Sequence, residues 1–179
     1  MSKFFVRFIT GLFALGIAVV PAPAAQAAAG DMTCLPGTTS QTVTFDPALT
    51  MTPQDGVHIH VNRIFAGCTS ISHPDIVFGT SVSDLIGNNR SCLSLLTAAS
   101  NTFTIVWNTG ATSTIAENYT VTIAGAVIVY EFTGVVTAGV FAGDTVLRTL
   151  TGPSIDVTNC TLGLGTVSSY YLLGSLTLA

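Results

Sequence analysis

Beyond residue 40 the chain alternates between polar and apolar positions. Thr42-Val43-Thr44-Phe45 changes character at every step, the period of a strand with one buried face. Val57-His58-Ile59-His60-Val61-Asn62 does the same, with Val57, Ile59 and Val61 on one face. Between these runs lies a segment rich in turn residues, from Asp46-Pro47 to Pro53-Gln54-Asp55-Gly56. Further strands are predicted at Ile76-Val77-Phe78, Thr102 to Trp107, Ser113 to Ile115, Val135-Val136, Thr145 to Leu147, Ile155 to Val157 and Val167 to Leu178. Tyr119 to Tyr130 reads as one strand with Val121, Ile123, Val127 and Val129 on one face and a bulge at Gly125. Asn108-Thr109-Gly110 is a tight turn, and Asp84 to Ser91 a polar one. Only Ser91 to Ser100 is allowed a helical turn, because no segment sustains a period of 3.6. Eight to ten short strands about 8–12 residues apart predict an all-β fold, a single antiparallel Ig-like β-sandwich.

The first residues break this pattern. Lys3 and Arg7 precede an apolar run from Phe8 to Val20, Pro21 and Pro23 end it, and Ala25-Gln26-Ala27 forms a small-x-small cleavage site. Residues 1–27 therefore read as a signal peptide, and residues 28–179 as one β-sandwich domain. Cys34 lies several residues past the cut, which argues against a lipid-anchored start. The apolar run is shorter than the ~18 residues of a spanning helix, so no mature transmembrane helix is expected. Removing the leader leaves Arg63, Arg90 and Arg148 as the only basic residues against nine acidic ones, a formal charge of −6. Such a chain has no electrostatic grip on a phosphate backbone, so nucleic acid is not an expected partner.

Export changes the meaning of the cysteines. Cys34, Cys68, Cys92 and Cys160 form an even set without CxxC spacing, which reads as two disulfides rather than a zinc site. Reflecting the chain about Met51, in the first turn, brings Cys34 opposite Cys68. The expected pairs are therefore Cys34–Cys68 and Cys92–Cys160. Closing loops of about 35 and 69 residues contributes ~4 kcal/mol each in the chain-entropy model.

Site chemistry is sparse. His58 and His60 project from one face of a strand, and with His73 or Asp75 they are weak candidates for metal ligands. The competing reading makes that face an exposed polar one, and no metal or other cofactor is expected. No Gly-x-Ser-x-Gly elbow occurs, and the two glutamates, Glu117 and Glu131, offer a two-carboxylate site only by chance placement. No catalytic residues are assigned. Thr42/Thr44, Thr102/Thr104, Thr112/Thr114 and Thr120/Thr122 put paired hydroxyls on strand faces, where Thr is a good exposed residue. Trp107, the sole tryptophan, reads as a core aromatic near a strand end.

The stretch Thr42-Val43-Thr44-Phe45-Asp46-Pro47-Ala48-Leu49-Thr50-Met51-Thr52-Pro53, with Cys68, Ser91-Cys92-Leu93 and Trp107-Asn108-Thr109-Gly110-Ala111-Thr112-Ser113, resembles small secreted actinobacterial proteins of unknown function. The resemblance implies an Ig-like sandwich outside the cytoplasm and carries over no activity or site residue. The expectation is a non-enzymatic, secreted or cell-envelope module that binds an extracellular or envelope partner or is structural. A porin-like barrel of an outer envelope is the second expectation, on the strength of a mean hydropathy of +0.65. A secreted hydrolase is the third.

Overall fold

A computed structural model describes residues 31–179, and the leader expected over residues 1–27 lies outside the described residues. Nine strands share one sheet: β1 (Met32–Leu49), β2 (Val57–Ala66), β3 (Cys68–Ser70), β4 (Phe78–Gly87), β5 (Ala99–Trp107), β6 (Thr112–Ala124), β7 (Val127–Gly139), β8 (Thr145–Pro153) and β9 (Val167–Leu178). Their order is β2-β4-β5-β6-β7-β8-β9-β1-β3, and a further β2–β1 pairing joins the two sides. Every pairing is antiparallel.

The sheet is therefore a closed barrel of eight strands, with β3 a short flap beside the start of β1. The all-β prediction holds, and the Ig-like sandwich is replaced by this barrel. The reason is long-range. Alternation and strand spacing are common to both architectures, and only the pairing of distant strands separates them. Here β1 uses both edges: Ser40 to Asp46 pairs with Ile64 to His58 of β2, while Thr39 to Thr44 pairs with Gly174 to Ser169 of β9. No edge is left open at that point.

Local predictions also change: Asp84 to Gly87, expected in a polar turn, are the paired end of β4. Gly125 is not a bulge but part of a two-residue turn, with φ +62°, between β6 and β7. Val121 and Ile123 thus belong to one strand and Val127 and Val129 to the next. Ile155-Asp156-Val157 opens a short helix, α1 (Ile155–Thr161), instead of a strand. The helical turn allowed after Ser91 is a 3₁₀ helix at Cys92–Leu96, and Gly110, with φ +84°, completes the tight turn after Trp107.

Both disulfides form as expected, Cys34–Cys68 and Cys92–Cys160. They mark the two ends of the barrel. At one end Phe65, Phe103, Trp107 and Phe141 pack with Cys34 and Cys68 into a solid aromatic core. Trp107 donates from its indole Nε1 to Ser113 Oγ at 2.9 Å, so its polar edge is satisfied there. At the other end the 3₁₀ helix and α1, stapled by Cys92–Cys160, cover a second cluster containing Val43, Phe45, Tyr130 and Phe132.

Beneath that stapled cover the wall is incomplete. β4 pairs with β5 only at Gly79–Trp107 and Thr80–Val106. Beyond those pairs β4 runs on to Gly87 and β5 starts at Ala99 with no ladder between them. The 3₁₀ segment bridges this seam. Replacing Cys92 and Cys160 together with alanine is expected to cost ~2–5 kcal/mol. Urea unfolding of the native and double-variant proteins measures it.

Candidate binding cavity

Period-two alternation fixes which side chains face the barrel axis, and several of them are polar. Arg63 follows Val57, Ile59 and Val61 in the same phase, and all four are inward. Glu117 follows Ser113 and Ile115, Arg148 lies between Val146 and Leu150, and Gln41 precedes Val43 and Phe45. All are at most 7% exposed. This polar layer divides the aromatic end from the stapled end.

Within the layer, Arg148 is fully served. Its Nη2 and Nε donate to the two carboxylate oxygens of Glu117, and its Nη1 donates to Gln41 Oε1 at 3.0 Å. Its guanidinium carbon lies 3.8 Å from the centre of the Phe132 ring. A buried ion pair survives desolvation when its polar atoms are bonded, and here each guanidinium nitrogen and each carboxylate oxygen has a partner.

Arg63 is not served in this way. Its guanidinium stacks over Phe103 at 4.3 Å and donates one hydrogen bond, from Nη1 to Ser83 Oγ at 3.0 Å. Its Nε has no partner among the described residues. Glu117 already neutralises Arg148, so the barrel interior carries one uncompensated positive charge. Burial and the neighbouring Arg148 lower the Arg63 pKa to about 10, a sign of how poorly the site compensates the cation.

A cavity of about 180 Å³ lies beside this charge in the stapled half. Arg63, Gln41 and Asn101 line it together with Val43, Phe45, Val61, Tyr119, Tyr130, Phe132 and Tyr170. Leu85, Arg90, Ser94, Leu95, Ala99 and Ser100 line it at the seam. An apolar pocket with a few convergent polar groups is the usual form of a small-molecule site. The interior of an eight-strand barrel is just wide enough for one small ligand. Tyr130 and Tyr170 stack at 6.2 Å, and the Tyr130 hydroxyl donates to the Leu95 carbonyl at 3.1 Å. Burial pushes the Tyr130 phenol up to about 12, and pushes Tyr170 well above its ordinary value.

The residues singled out from the sequence are not brought together. His58 and His60 both lie on the outer face of β2, and His60 Nδ1 meets Asp84 Oδ1 at 2.6 Å. His73 instead packs edge-on against Phe141 at the aromatic end. No group of three possible metal ligands occurs among the described residues. Glu117 is buried in the barrel while Glu131 is exposed on its outer wall, so they share no cleft. The paired threonines face outward, and Thr104 and Thr114 hydroxyls touch at 3.1 Å. Arg63, Gln41, Glu117 and Arg148 were detectable as polar residues in phase with core positions, a signal that patterning by hydrophobicity alone passes over.

Glu117→Gln leaves two buried guanidinium groups without a carboxylate and is expected to destabilise the fold by ~3–5 kcal/mol in urea unfolding. Pairing Glu117→Leu with Arg148→Met should recover most of that loss. Alkaline pH gives a second check. Folded Tyr119, Tyr130 and Tyr170 hold protons that the unfolded chain releases near pH 10. Their contribution is complete below that pH and is lost as pH rises toward 12. Arg63 acts oppositely, since its lowered pKa relieves a buried charge above about 10. Three phenols outweigh one guanidinium, so stability should fall across this window. Phenolate absorbance should then rise together with unfolding, and early titration of all phenols in folded protein would contradict the burial described.

No protein-family model matches the chain, and neither a curated protein nor a solved structure does.

Proposed function

We propose that this chain is an exported, non-enzymatic binding protein whose barrel takes up a small molecule through the seam between β4 and β5. The observation that carries the reading is the cavity beneath the stapled cover, with ladder pairing missing along one wall. Two disulfides are compatible with an extracellular or cell-envelope location, and the resemblance to small secreted actinobacterial proteins belongs to the same reading. A closed barrel whose Arg148, Glu117 and Gln41 are bonded to one another offers a preformed site, which limits the ordering cost of binding.

A porin-like envelope barrel is the second reading. Sheet closure and outward Val82, Ile86, Val135 and Leu147 favour it. His58, His60, Asp84 and Glu131 on the outer wall oppose it, as do the many outward hydroxyls. Phase partitioning separates the two: the binding protein stays in the aqueous phase without detergent, whereas an envelope barrel follows the detergent.

A panel of small aromatic and aliphatic probes tests the leading reading by thermal unfolding. A ligand at ~100 times its Kd adds about 2.7 kcal/mol and should raise the midpoint by several degrees. Ala99→Trp, at the exposed seam, should abolish the shift while leaving the unliganded midpoint nearly unchanged. Absence of any shift, or turnover of an ester, peptide or glycoside probe, would overturn the proposal.

A further inference from the structure

Once the leader is set aside, this acidic chain has only three basic residues, and two of them face one cavity. Arg148 is spent on Glu117. Neither Arg63 nor Arg90 has a carboxylate within ion-pair distance among the described residues. Arg90 is exposed at the seam, and Arg63 is 5% exposed on the cavity wall. Burying an unpaired guanidinium is costly, and folded proteins avoid it unless the charge is used.

The surroundings are unfinished in a consistent way. Among the described residues Arg63 hydrogen bonds through Nη1 alone; its Nε is enclosed without a partner, and the guanidinium keeps N–H groups able to donate to an anion. Asn101 also lines this cavity, and its Oδ1 is enclosed without a partner among the described residues. Ser81, opposite Arg63 in the β2–β4 register, is buried outside the cavity lining with its hydroxyl also unpartnered among the described residues. The net interior charge of one matches a monoanion. The volume exceeds the ~150 Å³ that accommodates one benzene ring in an engineered protein cavity. Phe45 and Tyr170, 5.9 Å apart, and Tyr130 supply aromatic walls.

We propose that the cavity binds a small aromatic monocarboxylate, its carboxylate on the guanidinium of Arg63 and its ring among Phe45, Tyr130 and Tyr170. Arg90 draws the anion to the seam, and Arg63 receives its charge. This rests on the binding reading above and names the ligand class for that site.

Calorimetry on the oxidised protein with benzoate and phenylacetate, against benzamide and phenylacetamide, tests it. The acids should bind one to one and at least ten-fold tighter than the matched amides. Arg63→Gln should lower acid affinity at least ten-fold and leave amide affinity within two-fold. Equal binding of acids and amides overturns the carboxylate assignment while leaving a binding cavity. No binding of any probe overturns both. An acid preference that persists in Arg63→Gln overturns the role of Arg63. If that variant does not fold, crystals of the native protein with 4-bromobenzoate decide: the carboxylate within hydrogen-bond distance of the Arg63 guanidinium supports the assignment, and a carboxylate bound anywhere else refutes it.

Discussion

The ion pair of Arg148 with Glu117 is the constraint around which the barrel is organised. A closed eight-strand sheet has a narrow interior that must be filled, and apolar side chains fill it at both ends. Between them the axis is occupied by a guanidinium, a carboxylate and an amide that satisfy one another. The pair joins β6 to β8, and Gln41 extends it to β1. Three strands distant in sequence are thereby held in one register across the lumen. Slipping any of them by one residue would turn its polar group to the outer face and its outward hydroxyls inward.

With that floor complete, the two ends serve different purposes. The aromatic end is solid, closed by stacked Phe65 and Phe103 and by Trp107 against Phe141. The stapled end holds a cavity because its cover is a short 3₁₀ helix and a seven-residue helix rather than packed strands. Cys92–Cys160 fixes that cover in place without filling the space below it. The seam between β4 and β5 follows from the same arrangement, since the chain leaves β4 to build the cover before it returns as β5. Arg63 stands on the cavity side, the one charge that the floor does not neutralise.

Much of this is legible in the sequence. Alternation in Val57 to Val61 placed β2 and its faces, and the reflection about Met51 paired Cys34 with Cys68. Closure was not legible, because the β1–β9 pairing joins residues more than a hundred positions apart and leaves no local mark. Ile155-Asp156-Val157 misled because apolar-polar-apolar fits a strand and the first turn of a helix equally. The site is hidden for a different reason. His58 and His60 are the chemically versatile residues of this strand, yet they face outward. Arg63, in phase with the core residues beside them, was the informative one.

Exchange of the arginine Nε protons with solvent, followed by NMR on the folded protein, tests the buried floor most directly. Arg90, exposed at the seam, should exchange fast, and Arg148, enclosed and bonded to Glu117, should be strongly protected. Arg63, buried but unpartnered at Nε, should fall between them. An Arg148 signal that exchanges as fast as that of Arg90 would contradict the account, because the layer dividing the barrel would then be open to water.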